Sequence, residues 1–107
     1  MRCFGSLLLL LALAACASFE GARLYGSGSQ ALDRGDSARA IADLERAAEL
    51  VPQASEVQNH LGLAYLSAGR TDQARTAFER ALALDCENGA ARTNLRAIER
   101  REAAGAP

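Results

Sequence analysis

Apolar residues follow two different patterns along the chain. From Phe4 to Leu13 they form an almost unbroken run, whereas beyond residue 35 they recur every three or four residues, the spacing of one helix face. This spacing predicts four helices, which begin at Asp36 or Ser37, at Glu56, at Thr71 and at Gly89. No stretch shows the strict alternation that is typical of strands. The pattern therefore predicts an all-α protein.

Residues with known preferences for helix ends set the expected boundaries. The second helix should begin at a cap formed by Asp36 or Ser37, and the fourth at one formed by Thr71 or Asp72. Gly69 should close the third helix, because glycine is favoured just after a helix C-terminus. The expected ranges are 56–68 for the third helix, 71–84 for the fourth and 89–102 for the last.

An earlier helix at Ala22–Arg34 has weaker local support. It contains Gly26 and Gly28, and each glycine inside a helix costs about 0.8–1.0 kcal/mol relative to alanine. The support comes from an internal repeat, since the same order of residues returns after 34 positions (62 − 28 = 34). The matching pairs are Gly28 and Gly62, Leu32 and Leu66, Gly35 and Gly69, Ala40 and Ala74, and Leu44 and Phe78. We expect Gly62 to face Ala74 between paired helices, with Tyr65 and Phe78 beside that contact.

A period of about 34 residues built from a helix pair resembles the tetratricopeptide repeat. The residues that match the family's preferences in the second repeat are Leu61, Gly62, Tyr65, Ala74, Phe78 and Ala81; those in the first are Leu24, Gly28, Ala40, Leu44, Ala47 and Pro52. The chain departs from the pattern at Ser27, Ala31, Gln58 and Cys86. The resemblance implies a short solenoid of two helix-turn-helix repeats, 21–54 and 55–88, with a C-terminal capping helix at 89–102 and a disordered tail at 103–107.

The first fifteen residues are typical of a signal peptide. A basic start at Arg2 precedes the apolar run, and small residues follow it. The run is shorter than the roughly 20 residues that span a bilayer. A permanent membrane helix from Phe4 to Phe19 remains the alternative.

The sequence Leu13-Ala14-Ala15-Cys16 resembles the lipobox of bacterial lipoproteins. The resemblance implies cleavage before Cys16, a thioether from its sulfur to diacylglycerol, an acylated amino group and a short tether at 16–21. Two or more acyl chains hold a protein stably on a membrane. Ala17 follows the cysteine, which favours the outer membrane, facing the periplasm. An incidental cysteine near a signal peptide cut elsewhere is the alternative.

The composition limits the binding and catalytic functions that we expect of this chain. The chain has 107 residues and a formal net charge of -1, which argues against nucleic acid as a partner, because duplex binding needs a basic surface. His60 is the single histidine, so neither a metal site nor a cofactor is expected. Paired acidic residues fall at turns, where they usually cap helices, and we expect no enzyme activity. Cys86 is expected to be a small turn residue, with an intermolecular disulfide as the alternative.

The family resemblance implies that the first helix of each pair lines a concave, protein-binding groove. The groove residues would be Tyr25, Ser29, Leu32, Asp33, Asn59, His60, Leu63, Leu66, Thr93, Asn94, Ala97 and Arg101. Leu32, Leu63 and Leu66 lie off the packing stripes, which is typical of an interaction surface unless the leucines pack within the superhelix. The convex helices around Arg39, Asp43, Arg75 and Glu79 are the alternative surface.

The expected function is that of a membrane-anchored envelope lipoprotein acting as an adaptor for a protein or peptide partner. The chain resembles tetratricopeptide lipoproteins that support pilus assembly, secretion or outer-membrane assembly. A regulatory accessory subunit of a cell-wall enzyme is the alternative, and a free-standing enzyme is a weaker one.

Overall fold

The structure, a computed structural model, describes residues 2–105, with side chains from Phe4 onward. Five helices account for nearly all of them: α1 (Arg2–Asp33), α2 (Ser37–Leu50), α3 (Ser55–Ser67), α4 (Thr71–Leu84) and α5 (Gly89–Ala103). The described range contains no strand. The predicted all-α helical repeat solenoid is therefore confirmed, and the molecule is elongated, measuring 65 × 28 × 18 Å.

The first helix is much longer than the predicted Ala22–Arg34. It is one unbroken helix of 32 residues, about 48 Å at 1.5 Å per residue, and it passes through the segment 16–21 that was expected to be a tether. No proline interrupts this segment. A Cβ on Gly21 would overlap Cγ2 of Val51, so the glycine allows α1 to approach Val51 closely. The continuity of the helix does not determine where a peptidase would cut. Met1, the first residue of the expected signal peptide, lies outside the described residues.

The other helices agree with the prediction within a residue or two, but one cap is wrong. Asp36 caps α2, and its carboxylate accepts a hydrogen bond from the backbone N–H of Arg39 at 3.2 Å. In α4 the cap residue is Arg70, which makes no side-chain cap bond, so neither Thr71 nor Asp72 has that role. The preceding turn ends at Arg70 and α4 begins at the next residue, so Arg70 occupies the cap position.

The turns between paired helices are the same in both repeats. Gly35 and Gly69 both have φ of 76°, a left-handed conformation that glycine adopts without a Cβ clash. After each glycine, a backbone N–H reaches back to the end of the previous helix, from Asp36 to the Ala31 carbonyl (2.9 Å) and from Arg70 to the Tyr65 carbonyl (2.8 Å). These bonds satisfy carbonyls that a helix end leaves unpaired.

The helices of each repeat meet where a bulky side chain packs onto a glycine. A Cβ on Gly28 would lie 2.7 Å from Cγ of Leu44, and one on Gly62 would lie 2.7 Å from Cδ1 of Phe78. Leu44 and Phe78 are the largest fully buried side chains among the described residues. Phe78, which was predicted to lie beside the contact of Gly62 with Ala74, packs directly on the glycine, and Ala74 is buried in the same core.

The five helices form two layers. We call α1, α3 and α5 the inner layer, because α1 contacts α3 and α3 contacts α5. The outer layer consists of α2 and α4, which share no contact within the described residues. The inner helices therefore lie closer together than the outer ones, which makes the inner side the concave side of the solenoid.

A short chain of hydrogen bonds attaches α5 to the second repeat. The Asn88 side chain caps α5 by accepting from the Ala91 N–H at 3.0 Å, and it donates to the Ser55 hydroxyl at 2.8 Å. That hydroxyl donates to the Ala81 carbonyl at 2.8 Å, so α3, α4 and α5 are joined at one point.

The side of α5 that faces away from the repeats is polar, as expected for a capping helix. Arg96 lies 34 positions after Gly62, and it is exposed with Glu99 and Arg100. Of the predicted tail at 103–107, Ala103 ends α5 and Gly105 has φ of 70°; residues 106 and 107 lie outside the described range.

The glycine contact predicts opposite effects for two Gly→Ala changes. Gly62→Ala should lower the free energy of unfolding by about 1–3 kcal/mol, because the added Cβ must displace the buried Phe78 ring. Gly26→Ala should raise it by up to about 1 kcal/mol, because its Cβ would meet no atom within 4 Å and alanine favours a helix. Urea denaturation of the segment from Ala17 onward, followed by circular dichroism, measures both; equal midpoints would contradict the packing.

Candidate functional site

The predicted groove residues lie on the inner layer, and two pairs of them touch across adjacent helices. The Tyr25 hydroxyl lies 3.3 Å from Nδ1 and 3.5 Å from Nε2 of His60, and the two rings meet edge to face with centroids 4.9 Å apart. Nδ1 of His60 is also 3.0 Å from the Glu56 carbonyl oxygen, which can accept a hydrogen bond from that nitrogen. Burial raises the pKa of Tyr25 and the carboxylate of Glu56 adds to the rise, which keeps the phenol neutral.

The second pair joins α3 to α5. The Asn94 side chain donates to Oδ1 of Asn59 at 3.0 Å. Asn59 is only 6% exposed, so it is a buried, paired group instead of the directly accessible binding residue that the sequence suggested. An amide on a groove-facing position is buried here because the neighbouring inner helix covers it. Asn94 is half-buried and offers the accessible part of this pair.

The three leucines predicted to need a partner are already partly covered. Leu32, Leu63 and Leu66 are half-buried and pack against the main apolar core. The expectation that they lie off the packing surface is therefore too strong, because each inner helix is contacted from two sides. Their remaining exposed area faces the concave side, together with the half-buried Ser29.

The other predicted groove positions differ in accessibility. Asp33, Thr93 and Arg101 are exposed, while Ala97 is half-buried. Cys16, the predicted lipidation site, is an exposed free thiol on α1. The structure thus brings Tyr25 and His60 together, and Asn59 and Asn94, without gathering all the predicted residues into one cluster.

An apolar depression next to Tyr25 was not anticipated. Its volume is about 190 Å³, and its lining comes from α1, from the loop after α2 and from the start of α3. The lining residues are Ser18, Gly21, Ala22, Tyr25, Val51, Ala54, Glu56 and Val57. The sequence contained no local signal for it, because the contact between Gly21 and Val51 that forms its floor joins residues thirty positions apart.

On the convex side, Arg39, Asp43 and Arg75 of the alternative surface are engaged within the protein, while Glu79 is exposed. Asp43 is buried and accepts hydrogen bonds from the Ser27 hydroxyl at 2.7 Å and from Nε of Arg39 at 2.8 Å. Burial opposes ionisation of Asp43, but these two bonds outweigh it and lower the pKa of the carboxyl. Arg75 pairs with Glu102 of α5. These groups therefore connect helices instead of presenting a free surface.

Tyr65 makes a similar connection between the repeats. Its hydroxyl donates to Oε1 of Glu45 at 2.8 Å, and burial together with this carboxylate raises the pKa of Tyr65 to about 12. Nothing in this arrangement activates a nucleophile or a base. Within the described residues, no group of three or more His, Cys, Asp or Glu side chains is placed to hold a metal ion.

Two comparisons with known proteins agree with this architecture. Residues 25–89, more than half of the chain, match the tetratricopeptide repeat family. The chain belongs to this family. Over 65 residues it is 44% identical to TPR repeat-containing protein PA4299 of Pseudomonas aeruginosa, an alignment that covers 61% of this chain and 26% of that protein. The chain thus spans about a quarter of the length of this curated relative.

Tetratricopeptide repeats imply an adaptor role in protein–protein interaction, and proteins of this family are generally scaffolds without enzyme activity. The N-terminal part of the chain adds a second property. One helix, at Phe4–Asp33, is long and apolar enough to cross a membrane by length and composition, a test that a signal sequence near the N-terminus also passes.

The buried Asp43 predicts a pH-dependent contribution to stability. Because its pKa is lowered by folding, its contribution is present above its unfolded pKa of about 3.9 and is lost as the pH falls through the folded value. Asp43→Asn should cost about 1 kcal/mol at pH 7, at the low end for bonds to a charged group because Arg39 is largely exposed. The difference from the unaltered protein should shrink below about pH 4.

The control for this experiment is Glu87→Gln, a change in an exposed loop residue that should stay within about 0.5 kcal/mol. Urea titrations at pH 7 and pH 3.5 measure both variants. A cost for Asp43→Asn that is equal at the two pH values would show that the carboxylate charge is not the stabilising feature.

Proposed function

We propose that this chain is a bacterial envelope lipoprotein that binds a protein partner on its inner layer. The observation that carries the proposal is the direct continuity of an exposed apolar helix with a tetratricopeptide repeat. The leucines at positions 7–11 and 13 are 54–65% exposed, so no part of the repeats covers them. They precede the Leu13-Ala14-Ala15-Cys16 sequence, which resembles a lipobox.

Acylation of Cys16 would leave the repeats at the membrane surface. A diacylglycerol thioether together with an N-acyl chain supplies more than the two chains that stable anchoring needs. Ala17 after the cysteine favours the outer membrane and the periplasmic side. In that setting, support of pilus assembly, secretion or outer-membrane assembly is the role we infer. Regulation of a cell-wall enzyme as an accessory subunit is the other role the sequence suggested.

The binding surface that we propose combines apolar and polar groups of the inner layer. It includes the uncovered parts of the half-buried Leu63 and Leu66, the Tyr25–His60 pair, Asn94 and the positive charge of Arg101. An extended or helical segment with apolar side chains at intervals fits such a surface.

The anchoring part of the proposal predicts a defined mature N-terminus. In a bacterium with lipoprotein-processing enzymes, mass spectrometry should find Cys16 as the first residue, carrying acyl chains. Cys16→Ser should release the protein from membranes or stop its processing, whereas Cys86→Ser should leave its membrane association unchanged. An unmodified N-terminus at another position would contradict the lipoprotein proposal.

The binding part predicts a specific loss in a crosslinking pull-down from native envelopes. Leu63→Glu should remove the captured partner, because it places a charge on the half-buried apolar part of the surface. Leu84→Glu is the matched control, since Leu84 is 38% exposed at the end of α4, in the outer layer. Thermal melts by circular dichroism should show that both variants remain helical. If the partner is retained by Leu63→Glu, the inner layer is not the binding surface.

A further inference from the structure

Within the repeats, α1 has two distinct faces. One face packs on the domain through Gly21, Leu24, Gly28 and Ala31, all buried. The opposite face, which we call the distal face of α1, carries Cys16, Phe19, Arg23 and Gln30. These are separated by three, four and seven residues, so they lie along one side of the helix. All four are exposed, and Phe19 is 74% exposed.

The distal face has a fixed direction relative to the repeats. The helix is unbroken from Cys16 to Asp33, and it packs on the repeats through the close contact of Gly21 with Val51. Cys16 is five residues before this contact, about 7.5 Å along the helix axis. A group attached to Cys16 is therefore held near one defined side of the domain.

Its residues also show that the distal face is not built to receive another repeat. Val57 of α3 corresponds to Arg23 of α1 at the 34-residue spacing, and it is buried against Leu24 and Ala47 of the preceding repeat. Ala64 is fully buried, while Gln30, its equivalent in α1, is exposed. Long polar side chains thus replace small apolar ones at the positions that would contact a preceding helix pair.

We propose that the distal face of α1 lies along the membrane surface, with bilayer phospholipids as its partner, an inference that rests on the proposed acylation of Cys16. The acyl chains and the Phe19 ring enter the boundary between headgroups and hydrocarbon, where interfacial helices bury their apolar residues. Arg23 and Gln30 have flexible stems that allow their polar ends to stay among the headgroups. The repeats then rest on the bilayer through α1.

Charge contributes little to this contact. Arg23 pairs with Glu20 at 2.6 Å, and the exposed Asp33 and Arg34 follow at the end of the helix. The two acidic and two basic groups balance, so the association comes from the lipid anchor and Phe19 and should change little with salt or with the fraction of anionic lipid.

The height of Gln30 above the lipid headgroups distinguishes the surface arrangement from an upright one. This residue is fourteen positions from Cys16, about 21 Å along the helix. If α1 stands upright on its anchor, Gln30 is far above the headgroups. If α1 lies along the surface, Gln30 is among them.

The test uses the full chain, processed and acylated in bacteria and reconstituted into vesicles of phosphatidylethanolamine and phosphatidylglycerol. In a Cys86→Ser background, a fluorophore is attached at Gln30→Cys, and its quenching by nitroxides on lipid headgroups is measured. Gln73→Cys is the matched control, because Gln73 is exposed on α4, a helix that does not contact α1 within the described residues. Quenching at position 30 should be several-fold stronger than at position 73, and Phe19→Ser should reduce it.

Equal quenching at the two positions, with acylated Cys16 verified by mass spectrometry, would overturn the surface arrangement and leave the anchoring intact. An unacylated Cys16 would overturn both. Strong quenching at position 30 that Phe19→Ser leaves unchanged would contradict the role of Phe19 in the contact.

Discussion

The seating of one bulky side chain on a glycine determines how the helices of each repeat approach one another. Leu44 on Gly28 and Phe78 on Gly62 occupy the same place in the two repeats, and both bulky residues are fully buried. Because a glycine has no Cβ, the two helix axes come close enough for the surrounding alanines to touch. The turns at Gly35 and Gly69 bring the helices back at the angle that this contact requires.

The apolar and polar contacts between helices have different places in the structure. Alanines fill much of the apolar core of both helix pairs, and Asp43 of α2 is also buried, where it accepts a hydrogen bond from Ser27 of α1. Other polar side chains link one helix pair to the next element, through Tyr25 and His60, Asn59 and Asn94, and Tyr65 and Glu45. The main apolar core runs through both helix pairs and reaches α5, and these polar contacts add links between the same elements.

The sequence alone predicted the repeat, the ends of most helices and the layer that carries the candidate groove, because these depend on local spacing. It did not predict that Phe78 would be the side chain packed most closely on Gly62, since this depends on the rotation of α4 about its axis. The helical segment 16–21 is supported by Val51, a distant residue. Likewise, Asn59 is buried and is paired with Asn94 of α5, a residue 35 positions away. Contacts between separate helices decide these features, and spacing within one helix does not report them.

Arg96 affects whether a second copy of the protein can stack on α5. At the corresponding positions of α1 and α3, the missing side chain of Gly28 or Gly62 admits a large apolar residue from the next helix. On α5 the guanidinium of Arg96 fills that place, and burying it against an apolar helix would require removing its water without supplying a partner. Stacking another copy on this side of α5 would therefore be unfavourable, because the guanidinium would lose its water.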